Sequence, residues 1–255
     1  MYSLTSLRFH VPPDSSSWII STLKRTTLAV VCLIAVGCTV APTVKQITHL
    51  ETQSDQPRVL MMPLDVELSV LTTGGLPEPR ADWTEAAIAH MEQALQRQSN
   101  IRNFDLIRYQ QATNDSSSAV VQLQKLHEVV GVTMMQQRMA PLPTKKDNFS
   151  WSLGSEAVSL AQTYNADYAL FLFMRDSYAS AGRQALVAAS VLASAFLGTP
   201  VASGGVQVGY ASLVDLKTGD IVWFNNLARA EGDLREPVKA DASITTLLNG
   251  FPSGN

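Results

Sequence analysis

Apolar positions along the chain fall into two kinds of run, continuous and helically spaced. Arg58–Asp65 (RVLMMPLD) and Asp167–Met174 (DYALFLFM) are nearly unbroken apolar stretches of strand length. Such runs suit strands covered on both faces. Phe104–Tyr109 (FDLIRY) predicts another strand. Residues 206–216 and 220–229 predict two more, joined by Lys217-Thr218-Gly219-Asp220 as a tight turn with Gly219 in a left-handed conformation. Helical spacing puts Trp83, Ala87, Met91 and Leu95 on one face of a helix reaching about Gln98. Asp82-Trp83-Thr84-Glu85 in front of it reads as a capping box. A longer helix, capped by Asp115 and the serines after it, carries the stripe Val120, Leu123, Leu126, Val130 and Met134. Shorter helices are expected over 154–165, with Ala157, Ala161 and Tyr164 on one side, and over 242–249, with Ile244, Leu247, Leu248 and Phe251 on one face. Residues 66–81 (with TTGGLPEPR) and 141–150 read as loops.

Strands thus alternate with helices in a body spanning 58–255. The expectation is one α/β domain with a mixed sheet covered by helices. Residues 39–57 are polar, hold two prolines and lack a sustained period, so 38–57 reads as a flexible tether. No internal repeat is present; DLKTGDIVW resembles a propeller-blade turn but occurs once.

The stretch from Gln184 to Val214 holds no charged residue, and its first part, to Gly205, is rich in Ala, Ser, Gly and Val. Three readings stand side by side: a helix buried against the sheet and followed by a Gly-rich loop, an oligomer or partner interface, and an insertion that dips into lipid. Its Ala/Ser content, Pro200 and the glycines argue against a spanning helix.

The amino terminus carries the most specific pattern. Lys24-Arg25 precedes Thr26–Val36, an uncharged apolar run of eleven residues. A spanning helix needs about 20 residues, whereas a secretory signal needs roughly 7–15. Ala35-Val36-Gly37-Cys38 follows and resembles the lipobox of bacterial lipoproteins. That resemblance implies cleavage between Gly37 and Cys38, removal of 1–37 as a signal peptide, and lipid on Cys38. Cys32 fits less well, because Val31 before it is bulky. Thr39 stands where an inner-membrane retention signal would place Asp, so the resemblance implies the periplasmic face of the outer membrane. One acyl chain binds a bilayer only marginally; two or three hold it durably.

Composition agrees with an exported domain that depends on its core. Cys32 and Cys38 are the only cysteines, so the body holds no disulfide. Without 1–37 the chain carries 16 basic and 21 acidic residues, net −5. That balance leaves no electrostatic footprint for nucleic acid.

Candidate chemistry is sparse. Four histidines, His10, His49, His90 and His127, form no metal-ligand spacing, and the last two read as boundary residues of helix faces. No nucleophile elbow, phosphate loop or dinucleotide fingerprint occurs. Asp65/Glu67 and Asp215/Asp220 are the pairs that could act as carboxylate couples, and Asp65 falls at a strand end. Trp223-Phe224 reads as core rather than a ligand platform. No cofactor and no enzymatic activity are expected.

The body over roughly 58–250, with its VLMMPLD strand and GYASLVDLKTGDIVWFN pair, resembles periplasmic lipoproteins of the TolB amino-terminal-domain and curli-secretion-channel-like (CsgG-like) superfamily. The resemblance implies a non-enzymatic role in assembly, docking or secretion at the outer membrane. Envelope proteins and copies of the same chain would be the partners. An oligomeric secretion or pore component is the first alternative, and an envelope ligand binder or hydrolase using Asp65 the second.

Overall fold

The computed structural model describes residues 45–47, 49–52, 56–110, 119–137, 142–145, 149–230 and 232–254. These belong to one compact unit, Val40–Asn255. The signal segment 1–37, the lipobox with Gly37 and Cys38, and the capping candidate Asp115 lie outside the described residues.

The strands are β1 (Lys45–Gln46), β2 (Arg58–Met61), β3 (Asp65–Leu71), β4 (Pro77–Pro79), β5 (Asp105–Arg108), β6 (Tyr168–Ala179), β7 (Gln207–Asp215) and β8 (Ile221–Arg229). The helices are α1 (Ala81–Arg102), α2 (Ala119–Gln136), α3 (Ser159–Tyr164), α4 (Ala181–Leu197) and α5 (Pro237–Leu247). Among the described residues eight strands share one mixed sheet: six run in the order β1-β8-β7-β6-β2-β5, and off this path β3 pairs with β6 and β4 with β3. The long strand β6 is its spine. β2 and β3 lie end to end along one side of it, both parallel to it, with Met62-Pro63-Leu64 as the break. β7 lines its other side, antiparallel, and β8 follows through the predicted turn, where Gly219 has φ +79°.

Side chains of β6 alternate between two cores. Tyr168, Leu170, Leu172 and Met174 join Met91 and Leu95 of α1 and Ile244 and Leu247 of α5. Ala169 and Phe171 join Val120, Leu123 and Met134 of α2 and Leu160 of α3. This is the period-2 geometry of a strand covered on both faces. In β8, Leu213 pairs with Trp223 and Val214 with Ile221, so Val222 is an extra residue. That bulge places Trp223 in the first core and Phe224 in the second, both at most 3% exposed. The core reading of this pair therefore holds.

Several local expectations are corrected. Residues 66–71, assigned to a loop, belong to β3, with Val66 and Leu68 turned into the core. The capping box does not form: Arg80 is the N-cap residue of α1 and has no side-chain cap bond. Asp82 instead pairs with Arg80 at 2.9 Å. The Thr84 hydroxyl accepts from the Leu68 amide at 3.0 Å, fastening α1 to β3. Helix α1 runs on to Arg102 and ends at Asn103 in a left-handed conformation. Part of the segment read as tether lies on the domain. β1 extends the sheet along β8, Leu50 is 1% exposed, and the Glu51 amide donates to the Tyr168 hydroxyl at 2.9 Å.

Candidate functional site

Strand β6 ends at Ala179, β7 begins at Gln207 and β8 ends at Arg229; pairing places all three at one end of the sheet. The uncharged stretch connects the first two there. Ser180 caps α4 by accepting from the Arg183 amide at 3.2 Å, and Gly198, at φ +66°, ends the helix. The chain then folds back along it: the Ala202 amide donates to the Ser190 hydroxyl at 3.0 Å, and the Val206 amide donates to the Ser177 hydroxyl at 2.9 Å. Arg183 anchors the base by donating to the Ser203 carbonyl at 2.9 Å.

The expectation that this stretch forms a buried helix is overturned. No residue of α4 is buried. Leu192 is 65%, Phe196 85% and Leu197 75% exposed, and Leu186, Val191 and Val201 are exposed as well. A helix that is apolar all round belongs in a core, and an open apolar patch marks a surface meant to be covered. The physical reason lies in the connection. Both faces of the sheet are already filled by α1, α2, α3 and α5, which leaves α4 beyond the sheet's end. Among the described residues no helix is long and apolar enough to cross a membrane.

A cleft of about 690 Å³ lies at the foot of α4, between Gln184, Val187, Tyr178, Trp83, Arg229 and Arg235 among others. Its aromatic wall is Trp83 set edge-on to Tyr178, with centroids 5.6 Å apart. The Arg235 guanidinium lies 4.0 Å over Tyr178 and 4.7 Å over Trp83, and both its arms bond Asp233 at 2.8 Å. That pairing holds the Asp233 carboxyl below the ordinary carboxylate range.

Beneath the cleft, Asp176 is 2% exposed. It accepts from the Tyr178 hydroxyl, from Gln207 Nε2 at 2.9 Å and from the Leu234 amide at 3.2 Å. Burial pushes its pKa up, and those bonds oppose the shift. Burial and the neighbouring carboxylate push the Tyr178 phenol upward. Gln207 also accepts from Arg229 Nε at 2.8 Å, and Arg229 bonds the Ser243 hydroxyl. The network ties β6, β7, β8 and α5 together, with each donor facing an acceptor, and so secures the platform from which α4 projects.

The carboxylates singled out in the sequence sit elsewhere. Asp65 and Glu67 share β3, and Asp65 is paired with Arg175 at 2.8 Å. Asp215 accepts from the Lys217 amide at 2.7 Å and stabilises the hairpin turn, and Asp220 lies exposed in that turn. None of the four lines the cleft. Among the described residues no group of three or more His, Cys, Asp or Glu side chains is placed to hold a metal ion. His90 Nδ1 faces the Leu234 carbonyl at 3.1 Å. His127, expected at a helix boundary, is 4% exposed; it bonds the Ser212 hydroxyl at 2.8 Å and stacks on Phe171.

No family model matches the chain, and a search of curated proteins finds no match. Solved structures similar to it include the PelC dodecamer from Paraburkholderia phytofirmans, at 14% identity over 83% of this chain and 98% of that one, TM-score 0.35. Lipoprotein GNA1162 from Neisseria meningitidis is 13% identical over 76% of this chain and 99% of that one, TM-score 0.32. The LpoB C-terminal domain from Salmonella enterica is 16% identical over 70% of this chain and 87% of that one, TM-score 0.25. At these scores neither family nor function follows from the likeness. None of the three is described as a TolB or curli-channel protein.

Proposed function

We propose that the protein is a lipoprotein of the bacterial cell envelope that acts as a non-enzymatic structural or docking module, held by lipid on Cys38 at the periplasmic face of the outer membrane. The lipobox Ala35-Val36-Gly37-Cys38 behind an eleven-residue apolar run supports the anchor. The docking role rests on one observation: α4, with no buried residue, presents Leu192, Phe196 and Leu197 outward from a braced platform. A module that works by contact needs such a surface, whereas a catalyst needs groups converging on a reacting atom. Around the cleft Arg235 is instead paired with Asp233, and Arg229 is held by Gln207 and Ser243.

Density-gradient separation of inner and outer membranes tests the address. The protein is expected with the outer membrane, and Thr39→Asp should move it to the inner one. Recovery of the unsubstituted protein in the soluble fraction, or in the inner membrane, would contradict the reading.

A further inference from the structure

We infer that α4 and the returning segment 198–206 form a second membrane contact, and that a lipid bilayer, the one holding the Cys38 anchor, covers their apolar face. The inference rests on the anchoring reading and extends it by naming what the exposed helix meets.

The direction of β1 is the first argument. It runs antiparallel to β8, with Lys45 opposite Phe224 and Gln46 opposite Trp223. The chain therefore arrives at Lys45 from the Arg229 end of β8, the end from which α4 projects.

Length is the second. Seven residues lead from Cys38 to Lys45, a reach of at most about 25 Å. Phe224 and Arg229 lie five positions apart along β8, a rise of roughly 17 Å. The span from Cys38 to Lys45 is thus long enough to let a lipid on Cys38 reach the level of α4.

Surface chemistry is the third. At the far end of the β7–β8 pair the turn exposes Lys217 and Asp220, charges that would have to be stripped of water against lipid. At the α4 end the projecting segment from Gln184 to Gly205 is itself uncharged, and the charges there, Arg183, Arg229, Arg235 and Lys239, lie at its foot. Phe196 and Leu197, next to the helix terminus at Gly198, are more exposed than any other large apolar residue of α4. Helices at a membrane interface sink such side chains about 5–10 Å, to the headgroup–acyl boundary. A weak helical contact added to a lipid anchor fixes the orientation of the domain, because the second attachment becomes intramolecular.

The experiment uses the lipidated protein reconstituted in phosphatidylethanolamine–phosphatidylglycerol vesicles. Removal of 1–37 leaves Cys38 as the sole cysteine, with its sulfur blocked by lipid, so Phe196→Cys, Leu192→Cys and Lys217→Cys each accept one environment-sensitive fluorophore. Labels at 196 and 192 are expected to shift to the blue and to lose most of their emission to nitroxide-bearing lipid, while the label at 217 keeps its own. Equal behaviour at all three positions would overturn the inference. So would emission at 196 that follows protein density on the vesicle instead of nitroxide, because a second copy would then cover the face. Protein without acyl mass on Cys38 would remove the anchoring reading and this one with it. Acylated protein that is unquenched at 196 would remove this one alone.

Discussion

His127 occupies a place where an imidazolium has no water, stacked on Phe171 with centroids 4.7 Å apart and bonded to Ser212. Burial pushes its pKa down from 6.5 to about 3. The unfolded chain therefore takes up a proton near pH 6.5 that the folded chain refuses until about pH 3. Across that window the unfolded state binds more protons, so stability rises with pH and is lost on acidification, by about 1.4 kcal/mol per pH unit from this group. Asp176 works in the opposite sense, because its raised pKa lets the folded state take its proton first. Comparison with His127→Gln isolates the histidine. Chemical denaturation between about pH 6.5 and about pH 4 should give a shallower loss in the variant than in the natural protein. Equal slopes would show that His127 is not held neutral. The sequence contained the signal: 120, 123, 127, 130 and 134 form one helical stripe, but a stripe built from apolar letters alone substitutes Leu126, which is 42% exposed. Asp176 was hidden for a related reason. Arg175 and Asp176 look like the end of a strand, yet β6 continues through them to Ala179, and the burial of the carboxylate depends on donors from β7 and the 232–236 loop.

Among the elements, β6, β7, β8 and the turn at Gly219 were legible because their apolar runs are long and their turn chemistry is specific. β3 was not, since its short alternation of Val66 and Leu68 sits between Pro63 and a Gly/Pro-rich segment that dominates local composition. Helix α4 was legible as a helix but not in its placement, which depends on the other helices having filled both faces of the sheet. That placement makes a sharp stability prediction. Leu192→Glu with Phe196→Glu should change unfolding free energy by no more than about 0.5 kcal/mol, as for surface positions. Trp223→Ala, by contrast, empties a fully buried site and should cost about 3–5 kcal/mol. Urea unfolding of the two variants checks both; a large loss from the α4 pair would mean that the helix is part of the core.

At the scale of the whole molecule, a mixed sheet with two filled faces leaves its edges and ends as places for contact. The β4 edge carries Pro77 and Pro79, which discourage further strand pairing, and β1 covers part of β8 at the other edge. The end of the sheet bearing α4 presents the open apolar surface, braced from below by the Asp176–Gln207–Arg229 network. Fold class could be read from strand and helix periods, while the docking surface emerged only when the helices were seen to leave α4 uncovered. The anchor is the reverse case, a local pattern around Cys38 that implies a role for the whole chain. Intact-mass analysis of the protein extracted from envelopes tests it most directly. The account predicts a chain that begins at Cys38 and carries the added mass of a diacylglycerol, with a further acyl group where the new amino terminus is modified. A chain that retains residues 1–37, or one whose Cys38 still reacts with a thiol reagent, would contradict it.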